Sequence, residues 1–215
     1  MKALVLRKHG TLDELQVVSD YPVPQAIEGH VVIRVRASSF NYHDVFTVKG
    51  MPGIKVPLPV IPGLDMAGEV SEVGPGVAKW KAGDRVLVNP LNKKKGLMGE
   101  MLDGGMAEYC LVAADQLVAM PQGVSFEDAA SLPVAYGTAH RMLITHNTVK
   151  AGDRVLILGA GPIGQCALRW MLAAGARRVV VIDPVPMRLE VAKRGGATDT
   201  IGLPVAESEG ALREA

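Results

Sequence analysis

The 215-residue chain is long enough to bury one large core or two small ones, with 48% of its residues hydrophobic and 21% charged. A net charge of +1 supplies no field to draw it to nucleic acid or to an anionic membrane, and an aromatic share of 4% supplies no stacking platform for bases. Two cysteines cannot make a disulfide framework, and no apolar run approaches the roughly eighteen residues of a membrane span. The apolar run Ala3–Leu6 is too short for a secretory signal, so a cytoplasmic protein without membrane or nucleic-acid partners is expected.

From Met1 to about Ala119 the pattern is that of short strands: Lys2–Leu6, His30–Ala37, Gly68–Val73, Arg85–Asn89 and Met106–Val112. Turn signals such as Gly74-Pro75-Gly76 and Ala82-Gly83-Asp84 separate them. In His30–Ala37 the residues Val31, Ile33 and Val35 share one face and Arg34 and Arg36 the other, which predicts a half-buried strand. Asn89–Gly105, with Lys93-Lys94-Lys95, is the longest stretch without a predicted element. The lysines read as a solvated loop, or alternatively as a contact to a charged substrate such as a coenzyme A thioester.

The period changes at about Ser125, which can cap a helix with Asp128 three residues on. Beyond it lie a strand Val155–Leu158, a helix Pro162–Ala174, a strand Val179–Ile182, a helix Pro186–Arg194 and a strand at Thr200-Ile201. Alternating strands and helices predict βαβ units and a parallel sheet. The expected domains are therefore 1–124, β-rich, and 125–215, α/β.

Within the second domain the strand runs into Gly159-Ala160-Gly161-Pro162-Ile163-Gly164. In a dinucleotide fold the first glycine makes a tight turn, the second lets backbone approach the pyrophosphate, and the third lets helix pack on strand. The helix N-terminus then faces the phosphates with free N–H groups. Asp183 ends the next strand, 19 residues after Gly164, where an acid accepts from a ribose 2′-hydroxyl. NAD(H) is expected over NADP(H), with Arg188 as the one cation placed to read a 2′-phosphate instead. Cys110 and Cys166 read as core residues.

The stretch Pro57–Pro90, with Ile61-Pro62-Gly63-Leu64-Asp65-Met66-Ala67-Gly68, resembles the medium-chain dehydrogenase/reductase superfamily, as do Asp103–Tyr109 and Gly175–Asp183. The resemblance runs from Lys2 to about Ile201. It implies a GroES-like catalytic domain followed by a Rossmann-type domain of which only the first half is present. Relatives continue well beyond the last residue here, and Ala211–Ala215 reads as the middle of a helix. In the strand order implied, the first strand lies beside a fourth that this chain lacks, so an unpaired edge is expected, and the 215-residue chain alone is expected to be inactive.

The resemblance also carries departures. Zinc alcohol dehydrogenases have a cysteine ligand where Asn41 stands, His-Glu where Leu64-Asp65 stand, and a third ligand near Val134. Asparagine, leucine and valine make no usable zinc donor set, and no cysteine lies within Asn89–Gly105 for a structural zinc lobe. No metal is expected. Asn41-Tyr42-His43-Asp44 instead resembles the Asn-x-x-Asp element of zinc-free quinone and enone reductases. His43 stands where zinc relatives place a proton-relay hydroxyl, and the bland alternative is a loop in which Asp44 bonds backbone amides. Thr138 lies where relatives approach the nicotinamide. The glycine loop, by contrast, resembles that of the NAD-type zinc enzymes.

The implied reaction is hydride transfer from a reduced nicotinamide to a quinone or α,β-unsaturated carbonyl. Asn41, Tyr42 and His43 are then the donors to the developing oxyanion. An alcohol dehydrogenase-like enzyme, or a truncated dinucleotide-binding protein without turnover, is the alternative. The partner is a small molecule, and a homo-oligomer is compatible with the resemblance.

Overall fold

The computed structural model describes residues 1–146 and 149–204. The chain divides into two compact units, Met1–Val134 and Ala135–Ala215.

The first unit begins with strands β1 (Ala3–Leu6) and β2 (Leu15–Val18), an antiparallel pair. Then come β3 (His30–Ser39), helix α1 (Tyr42–Lys49), β4 (Asp65–Val73), β5 (Arg85–Val88), the short pair β6 (Leu91–Asn92) and β7 (Gly96–Leu97), β8 (Tyr109–Ala113), β9 (Leu117–Ala119) and helix α2 (Phe126–Ala130). The main sheet has five strands in the order β8-β3-β4-β5-β9, each antiparallel to its neighbours. Val31 and Ile33 of β3 enter a core with Met66, Val70, Val86, Val88, Met98, Cys110 and Val112. Arg34 and Arg36 point outward as the alternation requires, and Arg36 pairs with Glu69 at 2.7 Å. Truncating a buried residue such as Ile33 to alanine costs about 2–5 kcal/mol in lost transfer energy and cavity.

β3 is longer than its periodicity indicated. Register shifts between Val32 and Ile33 and between Val35 and Ala37 rephase it, and pairing with β4 continues to Ser39 opposite Asp65. That last pair stands beside the start of α1 and fixes the site. Asn89–Gly105, predicted without elements, contains the β6–β7 hairpin. Asn92 is buried there, donating from Nδ2 to Gln116 Oε1 at 2.9 Å and accepting the Lys94 and Lys95 N–H groups on Oδ1. The side chains of Lys93–Lys95 remain exposed.

Ser125 caps α2 as expected, accepting the Asp128 N–H at 3.0 Å. The helix belongs to the first unit, however, because Ala129 and Ala130 pack with Ala67 and Met120. The boundary therefore falls after Val134 rather than at residue 124.

The second unit comprises α3 (Ala135–Arg141), β10 (Arg154–Leu158), α4 (Pro162–Ala173), β11 (Arg178–Ile182), α5 (Pro186–Arg194) and β12 (Asp199–Ile201). Its sheet is parallel, in the order β10-β11-β12, with Arg154–Leu158 in register with Arg178–Ile182. Ile157, Val179 and Val181 pack with Cys166, Ala167 and Leu168 of α4 and with Leu189 and Ala192 of α5. Both cysteines are buried, as read. Among the described residues β10 pairs only with β11, and Leu156 and Leu158, on the face opposite buried Ile157, are 41% and 58% exposed. The expected helical stretch Ala211–Ala215 lies outside the described residues.

Candidate active site and dinucleotide loop

Asn41, Tyr42, His43 and Asp44 form the N-terminus of α1, not an open loop. Asn41 is the N-cap, with extended backbone at φ −120° and ψ 155°. The Asp44 carboxylate reaches back to the Asn41 N–H at 2.7 Å, half of a capping box, and its other oxygen accepts the Gly63 N–H at 3.1 Å. Asp44 is buried. Burial pushes its carboxyl above the usual aspartate range, against the opposing pull of the Asn41, Gly63 and Leu64 amides and of His43. Its observed contacts are those of an anchor that ties α1 to the Gly63 turn.

Asn41 does not spend its side chain on the cap. Its Nδ2 donates to Asp65 Oδ2 at 2.9 Å, and Asp65 Oδ1 accepts the Val134 N–H at 2.9 Å. Ser39 Oγ lies 3.2 Å from the same carboxylate. Asp65 is 1% exposed, and burial raises its carboxyl despite these donors, with the nearby Asp44 charge adding to the effect. The Asn41 amide is thus held in one orientation, with one N–H committed to Asp65. Leu64 is buried in the same turn. Among the described residues no cluster of three His, Cys, Asp or Glu side chains is placed to hold a metal ion.

His43 stands one residue before Asp44 with a quarter of its side chain exposed, and its Nε2 lies 2.9 Å from Oε1 of Glu100. The sequence reading missed Glu100, which is 57 positions away in a stretch without a periodic signal. Tyr42 is 71% exposed and packs edge-on against Phe46 at 5.0 Å between ring centroids. Phe40 is also exposed. Three of the few aromatic residues of the chain therefore flank the polar group.

In the second unit the three loop glycines differ in the way a phosphate cradle requires. Gly159 has φ +96°, a conformation that residues with a Cβ rarely adopt. A Cβ on Gly164 would collide with the Gly159 carbonyl, so helix and strand approach too closely for alanine. A Cβ on Gly161 would meet nothing within 4 Å, so the space beside its backbone is open to a ligand. Pro162 occupies the first turn of α4, and Pro162 and Ile163 line a cavity of about 530 Å³ with Leu156, Leu158 and Met142. The cradle fits a pyrophosphate at the helix N-terminus.

Asp183 follows β11 and is 3% exposed. Its oxygens accept the Ala160 and Val185 N–H groups, each at 2.8 Å, and Arg188 Nη1 lies 3.6 Å away. Burial works against its ionisation, but the Val185 and Ala160 amides and Arg188 outweigh it and hold the carboxyl below the usual range. Arg188 is half exposed beside it. Thr138 is exposed on α3, and its neighbour Ala139 supplies the packing.

An antiparallel β unit of this order, followed by parallel β/α units opening on a glycine cradle, is a GroES-like domain joined to part of a Rossmann-type domain. The family model for the alcohol dehydrogenase GroES-like domain matches residues 27–122. A zinc-type alcohol dehydrogenase-like protein of Schizosaccharomyces pombe is 37% identical over 195 residues, covering 85% of this chain and 56% of that protein. A quinone oxidoreductase of Sus scrofa is 35% identical over 178 residues, covering 82% and 51%. The cobalt- and zinc-bound structure of a thermostable alcohol dehydrogenase from Pyrobaculum aerophilum superposes with a TM-score of 0.84 at 30% identity, covering 98% of this chain and 68% of that one. The chain belongs to the medium-chain dehydrogenase/reductase superfamily. It spans about half the length of the curated relatives it matches.

Proposed function

We propose that this chain carries the site of a zinc-free oxidoreductase that reduces a quinone or an α,β-unsaturated carbonyl with NADH. The observation that carries the reading is Asp65. Its carboxylate is spent on Asn41, Ser39 and Val134, while the neighbouring positions that hold ligands in zinc enzymes are an asparagine, a buried leucine and a valine. That donor set does not fit zinc.

Gly159–Gly164 would hold the pyrophosphate of a reduced nicotinamide cofactor and Asp183 its adenosine ribose, and the cofactor would supply the hydride. Without a Lewis acid the protein stabilises the developing oxygen charge by hydrogen bonds, which suffices for conjugated acceptors more readily than for simple carbonyls. Asn41 offers its second amide N–H, Tyr42 its phenol, and His43 a proton. The exposed aromatics Phe40, Tyr42 and Phe46 suit a planar apolar acceptor. The ionised carboxyl of Asp183 beside the loop disfavours a 2′-phosphate, so NADH is preferred over NADPH, with Arg188 the residue that would reverse the preference.

The test is steady-state NADH oxidation with a benzoquinone, an enone and a saturated aldehyde. It is run on the 215-residue chain and on a chimaera that appends the remainder of a relative's dinucleotide domain. The conjugated acceptors should turn over at least ~100-fold faster than the aldehyde, equivalent to about 2.7 kcal/mol of barrier. Equal rates would point to alcohol dehydrogenase chemistry. NADH binding with no turnover in either form would point to a binding protein.

A further inference from the structure

Glu100 is a carboxylate with 3% of its surface exposed, and burying such a group is costly unless a partner compensates. Among the described residues its one recorded side-chain bond is to His43 Nε2. The turn that carries it is pressed hard onto the site. Gly99 sits at φ +73°, and a Cβ there would come within 2.7 Å of the Gly63 backbone nitrogen, the same N–H that bonds Asp44. Gly104 and Gly105 donate to the Ile61 and Gly63 carbonyls at 2.7 and 2.9 Å. Loop and α1 are therefore tied to one Gly63 turn, which sets the distance between Glu100 and His43.

We propose that Glu100 is a positioning residue that fixes the tautomer of His43: it takes the hydrogen bond from Nε2–H, so that Nδ1 is the nitrogen that exchanges a proton with the acceptor. Nδ1 has no protein partner among the described residues, in agreement with this division. The step balances. The doubly protonated ring gives its Nδ1 proton to the oxygen or carbon of the reduced acceptor, and the neutral ring that remains carries its one proton on Nε2, facing Glu100. A neutral ring of the other tautomer would aim a lone pair at a carboxylate.

The role in turnover rests on the function proposed above, whereas the tautomer does not, and the experiment separates them. Long-range proton–nitrogen correlation of the imidazoles is recorded on the 215-residue chain, with His43 identified by the signals lost in His43→Gln. The neutral ring of the wild type should show a protonated Nε2 and an unprotonated Nδ1. In Glu100→Gln, whose amide can donate as well as accept, that tautomer should lose its dominance while the backbone spectrum stays folded. His43 nitrogen shifts identical in wild type and Glu100→Gln would overturn the proposal. In the chimaera, with quinone or enone as acceptor, Glu100→Gln should lower kcat ~10-fold or more, with KM within about twofold. It should cost little more in a His43→Gln background. An equal loss in both backgrounds would mean that Glu100 does not act through His43. A chimaera that binds NADH but turns over neither acceptor would refute the function and leave the imidazole spectrum to decide the tautomer.

Discussion

Asp103 and Asp65 are both aspartates of the first unit with raised carboxyls, but Asp65 is buried and Asp103 is exposed, and they differ in how many donors they satisfy. Asp103 accepts one backbone N–H, that of Ile61 at 2.9 Å, and partial desolvation outweighs it to raise the carboxyl above the ordinary 3.8. With the folded value raised, the proton is bound more readily in the folded than in the unfolded chain. The stability contributed is full below 3.8 and is lost as pH rises through the raised value. Asp103→Asn keeps an acceptor for Ile61 and removes the partly desolvated charge, a modest effect at an exposed residue. Its Tm should exceed the wild-type Tm most at neutral pH, and the gap should close as pH falls through the raised value. A gap independent of pH in thermal melts would contradict this. Asp65 accepts on both oxygens, so Asp65→Asn must turn an NH₂ toward Asn41 or Val134. One unsatisfied buried donor costs about 1–3 kcal/mol, a Tm loss of several degrees in a chain of this size. An unchanged Tm would mean that Asp65 does not hold Asn41 as described.

At the scale of elements, the glycine loop separates a folding role from a binding role. Gly164→Ala drives a methyl into the Gly159 carbonyl and should cost about 1–3 kcal/mol. Gly161→Ala meets open space and should leave the Tm nearly unchanged while weakening nucleotide binding ~10-fold or more, read by quenching or energy transfer with NADH. A Gly161→Ala protein that binds NADH as tightly as the wild type would place the pyrophosphate elsewhere. The loop, the flanking strands and the helices α4 and α5 were legible because their signals are local: an apolar strand run, fixed glycine spacing and a 3.6 period. Helix α1 was not, since Tyr42 and Phe46 are exposed and only Asp44, Thr47 and Val48 are buried, which leaves no apolar stripe. Asp44 reads in the sequence as a candidate catalytic residue, with bonding to backbone amides only as the alternative, and its dependence on the Gly63 turn was not legible. Glu100 could not be read, because a carboxylate becomes a partner of His43 only through close backbone packing around Gly63 and Gly99. The nearest signal in the sequence is a lone glutamate one residue after Gly99 in a glycine-rich turn.

At the scale of the molecule, superfamily membership leaves open which chemistry the first unit performs, since the relatives include both zinc-type alcohol dehydrogenase-like and quinone oxidoreductase proteins. The proposed answer replaces a metal ion by a set of hydrogen-bond donors held rigid from below, with Asp65 orienting Asn41 and Asp44 anchoring α1. Such a site gains from preorganisation what it lacks in Lewis acidity. The most direct test measures metal content and turnover on one sample. The chimaeric enzyme is dialysed against a chelator, its zinc is counted by plasma emission spectroscopy, and NADH-dependent reduction of a quinone and an enone is followed before and after. Far less than one zinc per chain and the same turnover on both sides of dialysis are expected. One zinc per chain whose removal abolishes turnover, and whose return restores it, would mean that the site works through a metal ion.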